Sequence, residues 1–248
     1  MKSILLIGAA IYLGMGAYLY VLQRSFIYFP VAAAATNLKH RSFENEGHEI
    51  KVAVINEHQE KALIYFGGNA ENVEHNSDEY SALFDDYTIY LVKYRGFGGS
   101  DGFPTEAGLY SDALHIHDEL KREHAAIAII GRSLGSAVAT FVASERAIDK
   151  LVLVTPFDSV QRVAQSRYPI YPMEWLLKDK HDSYSRAKNI QAPTLILAAE
   201  LDRVIELQHT ERLIEGFESD VFYRVIKGTD HRTISSNPIY QAALAEFL

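Results

Sequence analysis

The chain has 248 residues, 48% of them hydrophobic and 23% charged, with a formal net charge of -8. This is the composition of one large globular unit with a substantial core, and it lacks the basic stripe that marks a nucleic-acid binder. With no cysteine, a disulfide, a thiolate nucleophile and a cysteine-held metal are all excluded.

The N-terminus departs from globular patterning. Ile4 to Leu22 carries no charged residue, and at 1.5 Å per residue it is just long enough to cross a hydrocarbon core of about 30 Å. Lys2 precedes the run, Gln23 and Arg24 follow it, and Tyr12, Tyr18, Tyr20, Phe26, Tyr28 and Phe29 offer rings for a membrane interface. The first reading is a retained single-pass anchor over residues 1–24, with a juxtamembrane connector over 25–40. A cleaved signal peptide, leaving a secreted or periplasmic form, is the second; Ala32 to Ala35 would be its small-residue site, but the apolar run exceeds the usual h-region. A buried core helix is the third, and Gly8, Gly14 and Gly16 weaken it. Lys2 and Arg24 nearly balance, so orientation is not signalled.

From residue 41 to 248 strand and helix patterns alternate. Strands are expected over Ile50–Ile55, Ala62–Phe66, Tyr87–Tyr94, Ala126–Ile130, Leu151–Val154, Thr194–Ala199 and Val221–Ile226. Helices are expected over Glu71–Phe84, Thr105–Arg122, Leu134–Arg146, Glu206–Glu215 and Pro238–Leu248. Two early strands followed by repeated β–α units predict an α/β fold with an open, mostly parallel sheet and helices on both faces. Residues 156–192, with Pro156, Pro169 and Pro172, break this rhythm after a strand. They are expected to form a small cap with helical turns near Ser159–Arg167 and Met173–Lys178.

Gly131-Arg132-Ser133-Leu134-Gly135 stands between a buried strand and a helix of small residues. A serine there is thrust out of a tight turn, with glycines where a Cβ would clash. Its hydroxyl needs a base and an oxyanion site. An acid and then a histidine are expected later in the chain. Asp202 lies just past the Thr194–Ala199 strand and His231 follows the Val221–Ile226 strand, each at a strand's carboxyl end. Glu200 and Asp158 compete as the acid, and Asp230 beside His231 is expected to face solvent. His115 and His117, two apart on a helix, face different sides and are not read as metal ligands. The oxyanion donors are expected to be the backbone N–H of Leu134, at a helix N-terminus, and that of Asn69 in Gly67-Gly68-Asn69-Ala70. Tyr94 to Gly102 is glycine-dense but lacks a phosphate-loop lysine and spacing, and is read as a structural turn beside the site.

Phe66–Asn72, Tyr94–Gly102, Gly131–Gly135, Ala192–Ile196, Asp202 and His231 together resemble the α/β-hydrolase fold family. More narrowly they resemble its membrane-anchored, serine-aminopeptidase-like branch, with Tyr28-Phe29-Pro30 after the hydrophobic segment. The resemblance spans nearly the whole chain. It implies Ser133, Asp202 and His231 as the triad. Two positions depart: Gly67 replaces the usual histidine of the oxyanion loop, and Glu206 replaces a proline that often follows the acid motif.

The expectation is therefore a membrane-anchored serine hydrolase that cleaves an ester, thioester or amide through an acyl-enzyme. It would act on a small-molecule or lipid-like acyl substrate, without cofactor or metal. A non-catalytic membrane scaffold with a retained hydrolase shell is the alternative from another class. A peptidase or acyltransferase using the same three residues is a third.

Overall fold

The computed structural model describes residues 2–248. Helix α1 (Lys2–Ile27) is followed by β1 (Lys39–Asn45), β2 (His48–Ile55), β3 (Lys61–Phe66), α2 (Ser77–Leu83), β4 (Tyr87–Val92) and α3 (Glu106–Leu120). Then come β5 (Ala126–Arg132), α4 (Leu134–Glu145), β6 (Lys150–Val154), α5 (Val160–Arg167), α6 (Met173–Leu176) and α7 (Ser183–Ala187). The chain closes with β7 (Thr194–Ala199), α8 (Leu207–Ile214), β8 (Val221–Ile226) and α9 (Pro238–Phe247). The strands form one sheet in the order β1-β2-β4-β3-β5-β6-β7-β8, antiparallel only where β2 meets β1 and β4.

Alternation along the strands builds two cores. Ile64, Phe66, Ile127, Ile129, Leu151 and Leu153 face α3 and α4 through Leu109, Ile116, Val138 and Val142. The residues between them, Leu63, Tyr65, Ala128, Ile130, Val152 and Val154, face α2 and α9 through Tyr80, Phe84, Tyr240 and Leu244. Covering both faces is what lets β3 to β6 read as continuous apolar runs. It also gathers the loops at the strands' carboxyl ends on one rim, where the candidate site lies.

Three elements differ from expectation. β1 occupies Lys39–Asn45, partly inside the expected connector, and pairs along its whole length with β2. It is an edge strand with only Phe43 buried, so it carries no apolar alternation to read. The helix expected over Glu71–Phe84 is a 3-10 turn (Val73–Asn76) running into α2, with Asn72 capping the turn. α7 has five residues, too few for a periodic signal.

α1 is long and apolar enough to cross a membrane, yet it is not free of the globular part. Arg24 holds Asp179 with two hydrogen bonds, of 2.9 and 3.3 Å. Gln23 donates to Leu176 O and accepts from Lys178 N–H. Just beyond the helix, Tyr28 Oη lies 2.9 Å from Nε2 of the fully buried His181, whose Nδ1 is 3.1 Å from Tyr110 Oη on α3. One histidine thus joins the segment after α1, the 156–192 segment and helix α3.

Burial pushes the His181 imidazolium down to about 4 from its ordinary 6.5. The unfolded chain therefore takes up this proton first as pH falls. The contribution of the neutral ring is complete above about 6.5 and is lost progressively toward pH 4, amounting to on the order of 3 kcal/mol. His181 has a φ of 45°, which asparagine tolerates. Thermal melts from pH 7 to 4.5 are expected to fall more steeply for the parent than for His181→Asn; equal slopes would count against the assignment.

Candidate active site

β5 ends at Arg132 and α4 begins at Leu134, so Ser133 alone makes the turn. Its φ of 49° and ψ of -115° lie in a region that costs a non-glycine residue about 1–3 kcal/mol. The turn is held by Ser133 N–H donating to Val154 O (2.9 Å) and by Ser136 N–H and Oγ donating to Ser133 O (2.9 and 2.6 Å). The flanking glycines are sterically required. A Cβ at Gly131 would lie 2.4 Å from Gly135 O, and one at Gly135 would lie 1.9 Å from Phe66 O.

Ser133 Oγ lies 3.0 Å from His231 Nε2, and His231 Nδ1 lies 2.7 Å from Asp202 Oδ2. Asp202 Oδ1 accepts from Val204 and Ile205 N–H, each at 2.8 Å. A carboxylate facing Nδ1 places the ring proton there and leaves the Nε2 lone pair toward the serine hydroxyl. Asp202 is buried, while Ser133 and His231 are half-buried. The three side chains come from loops 98 and 29 residues apart in sequence.

The competing acids are engaged elsewhere. Asp158 is 2.9 Å from His209 Nδ1, beside a polar cleft of about 550 Å³ between α5 and α8. Glu200 accepts from Gly228 N–H, and exposed Asp230 accepts from the N–H groups of Arg232 and Thr233. His117 pairs with Asp118, and His115 sits edge-on to Phe43. Among the described residues, no group of three or more His, Cys, Asp or Glu is placed to hold a metal.

Leu134 is the first residue of α4, where a backbone N–H has no carbonyl one turn earlier to bond. Across from it, the loop after β3 comes close enough that a Cβ on Gly68 would stand 3.7 Å from Ser133 Cβ. Gly68 N–H is already taken by Glu71 Oε2 at 2.6 Å, and Asn69 carries the next N–H in the loop. The Asn69 side chain is fixed from outside the site: Oδ1 accepts from Phe29 N–H (2.8 Å) and Nδ2 donates to Ile27 O (2.7 Å). The loop after β3 is thus bonded to the end of α1 and the residues just beyond it.

The departure at Gly67 has a steric reason. A Cβ there would meet Val73 Cγ1 at 2.4 Å, so a side chain at position 67 requires Val73 to move. Glu71 braces the loop instead, accepting from Gly68 N–H, Tyr65 Oη and Asn76 Nδ2. Arg132 extends the brace, 3.4 Å from Glu71 Oε2 and donating to His231 O at 3.1 Å. Glu71 and Arg132 were not singled out from sequence, although both lie inside the motifs that were. Glu206 is the N-cap of α8 with φ -63°, a value a proline ring would also hold. The glycine-dense loop packs behind the site, Tyr94 Oη donating to Gly67 O (2.8 Å) and Gly98 N–H to Val31 O (2.9 Å).

The strand–serine–helix turn thus meets a histidine from the loop after β8, which in turn meets an acid from the loop after β7. A family profile described as the alpha/beta hydrolase family matches residues 68–180. The Pyrococcus furiosus esterase Pf2001 superposes with a TM-score of 0.72 at 18% identity, covering 89% of this chain and 97% of that one. The chain belongs to the α/β-hydrolase superfamily. Among curated relatives, this α/β-hydrolase is 34% identical over 175 residues to an uncharacterized protein of Mycobacterium tuberculosis, covering 68% of this chain and 62% of the relative. It is 30% identical over 225 residues to lysophosphatidylserine lipase ABHD12 of Mus musculus, covering 75% of this chain and 55% of the relative. The chain therefore spans less than two thirds of the length of these relatives.

Proposed function

We propose that this α/β-hydrolase is a membrane-anchored serine hydrolase acting on an acylated, lipid-like substrate. The observation that carries the reading is the continuous contact from Ser133 Oγ through His231 to Asp202, at 3.0 and 2.7 Å. His231 Nε2 takes the Ser133 proton as Oγ attacks the acyl carbonyl. The carbonyl oxygen becomes an oxyanion held by the N–H groups of Leu134 and Asn69. Asp202 stabilises the imidazolium, which then protonates the leaving alcohol, thiol or amine. Water attacks the acyl-enzyme with His231 as base, releasing the acid and restoring Ser133. The lipase and esterase names of the relatives support an ester of lipid character. The length and apolarity of α1 support a membrane anchor over residues 1–24, with 41–248 as the hydrolase domain and 156–192 as its cap.

Labelling by a fluorophosphonate probe tests this directly. The parent is expected to label, Ser133→Ala to lose labelling completely, and His231→Ala to label far more slowly. A folded parent that fails to label would overturn the reading in favour of a non-catalytic scaffold.

A further inference from the structure

The uncharged run Ile4–Leu22 has its midpoint at Leu13. One residue away, Tyr12 stacks on Tyr171 of the cap with ring centroids 4.7 Å apart. Tyr12 Oη donates to Ile170 O at 2.9 Å, and Tyr171 Oη donates to Tyr12 O at 3.3 Å. Gly16 lies against the same ring, a Cβ there standing 3.5 Å from it. With Gln23 and Arg24 also holding the cap, contact runs along about 18 Å of the helix, at 1.5 Å per residue. A helix crossing a hydrocarbon core of about 30 Å cannot carry this partner along its length and leave it in water.

The cap segment that meets α1 reads Tyr-Pro-Ile-Tyr-Pro-Met-Glu-Trp-Leu-Leu over residues 168–177, with Glu174 its sole charge. Ile170 is 69% exposed and Trp175 81% exposed. An exposed tryptophan, an exposed isoleucine and a half-exposed Tyr168, flanked by Arg167 and Lys178, have the composition of an interfacial membrane segment. The carbonyls of Ile170 and Leu176 and the N–H of Lys178 are met by side chains of α1, as irregular backbone near lipid requires. Glu174 limits entry to the headgroup and upper acyl region.

We propose that residues 168–177 insert into the leaflet interface beside an obliquely held α1, seating the Ser133 site against the bilayer surface. The seating follows from the two bonds that join Asn69 to the backbone of Ile27 and Phe29. Acyl lipid then reaches the serine from the leaflet rather than through bulk water. The inference rests on the reading of α1 as a membrane anchor.

Trp175 is the chain's single tryptophan, so its fluorescence reports this segment alone. The full chain would be reconstituted in phosphatidylcholine vesicles, floated after an alkaline wash, and examined with lipids brominated high on the acyl chain. The expected result is flotation, a blue-shifted emission, strong quenching by the brominated lipid and little by aqueous iodide. Flotation with iodide quenching and no bromine quenching would overturn the insertion while leaving the anchor standing. Failure to float would remove the anchor reading and the inference with it. Ile170→Glu, on the exposed tip, is expected to raise iodide access to Trp175 while the protein still floats; unchanged access would likewise overturn the proposal.

Discussion

Asp202→Asn is expected to slow fluorophosphonate labelling and ester turnover by about ten-thousand-fold, the loss seen when the acid of such a triad becomes an amide, with little change in melting temperature. The reason lies in how the carboxylate is held. Its Oδ1 is committed to the N–H groups of Val204 and Ile205, so the amide oxygen of asparagine must take that side. The amide NH2 then points at His231 Nδ1, where a proton already sits. His231 escapes by moving its proton to Nε2, which now donates to Ser133 and cannot serve as its base. Fold and contacts survive while the tautomer is wrong. A variant retaining labelling within tenfold of the parent would show that Asp202 does not set the tautomer.

Gly135→Ala is expected to be the most damaging single-methyl change in the chain. The added carbon would stand 1.9 Å from Phe66 O, 2.5 Å from Phe66 C and 2.6 Å from Gly67 O. All three atoms are backbone, at the end of β3 and the start of the loop that follows it. Relief therefore means parting α4 from the sheet. Overpacking with a yielding side chain costs about 1–3 kcal/mol, and rigid backbone on the contact puts this variant at or beyond the upper end. Urea denaturation of parent and variant measures it, and an unchanged midpoint would contradict the close approach of α4 to β3.

Most of the sheet was legible because β3 to β7 are almost wholly buried and bounded by turn residues, while β8 was legible from its flanking turns although three of its six residues are exposed. The strands expected at Thr194–Ala199 and Val221–Ile226 have those bounds in the structure. β1 was not legible because six of its seven residues are not buried, and its place is set by pairing with β2 rather than by its own pattern. The residues of the candidate site were legible one at a time, each from a loop at a strand end. Illegible were the links between those loops. Glu71 to Arg132 to the His231 carbonyl, and Tyr28 to His181 to Tyr110, join residues far apart in sequence. Their side chains carry no periodic signal that would pair them.

The bonds between Asn69 and the backbone of Ile27 and Phe29 change what the N-terminal helix is for. A detachable tether could be trimmed away, leaving a water-soluble catalyst of undiminished competence. Here trimming after residue 27 deletes the carbonyl that holds Asn69 Nδ2, together with the Arg24 clasp on Asp179. On the proposed reading, the loop that would receive a developing negative charge is held partly by the helix itself, so anchoring and catalytic competence would be inherited together.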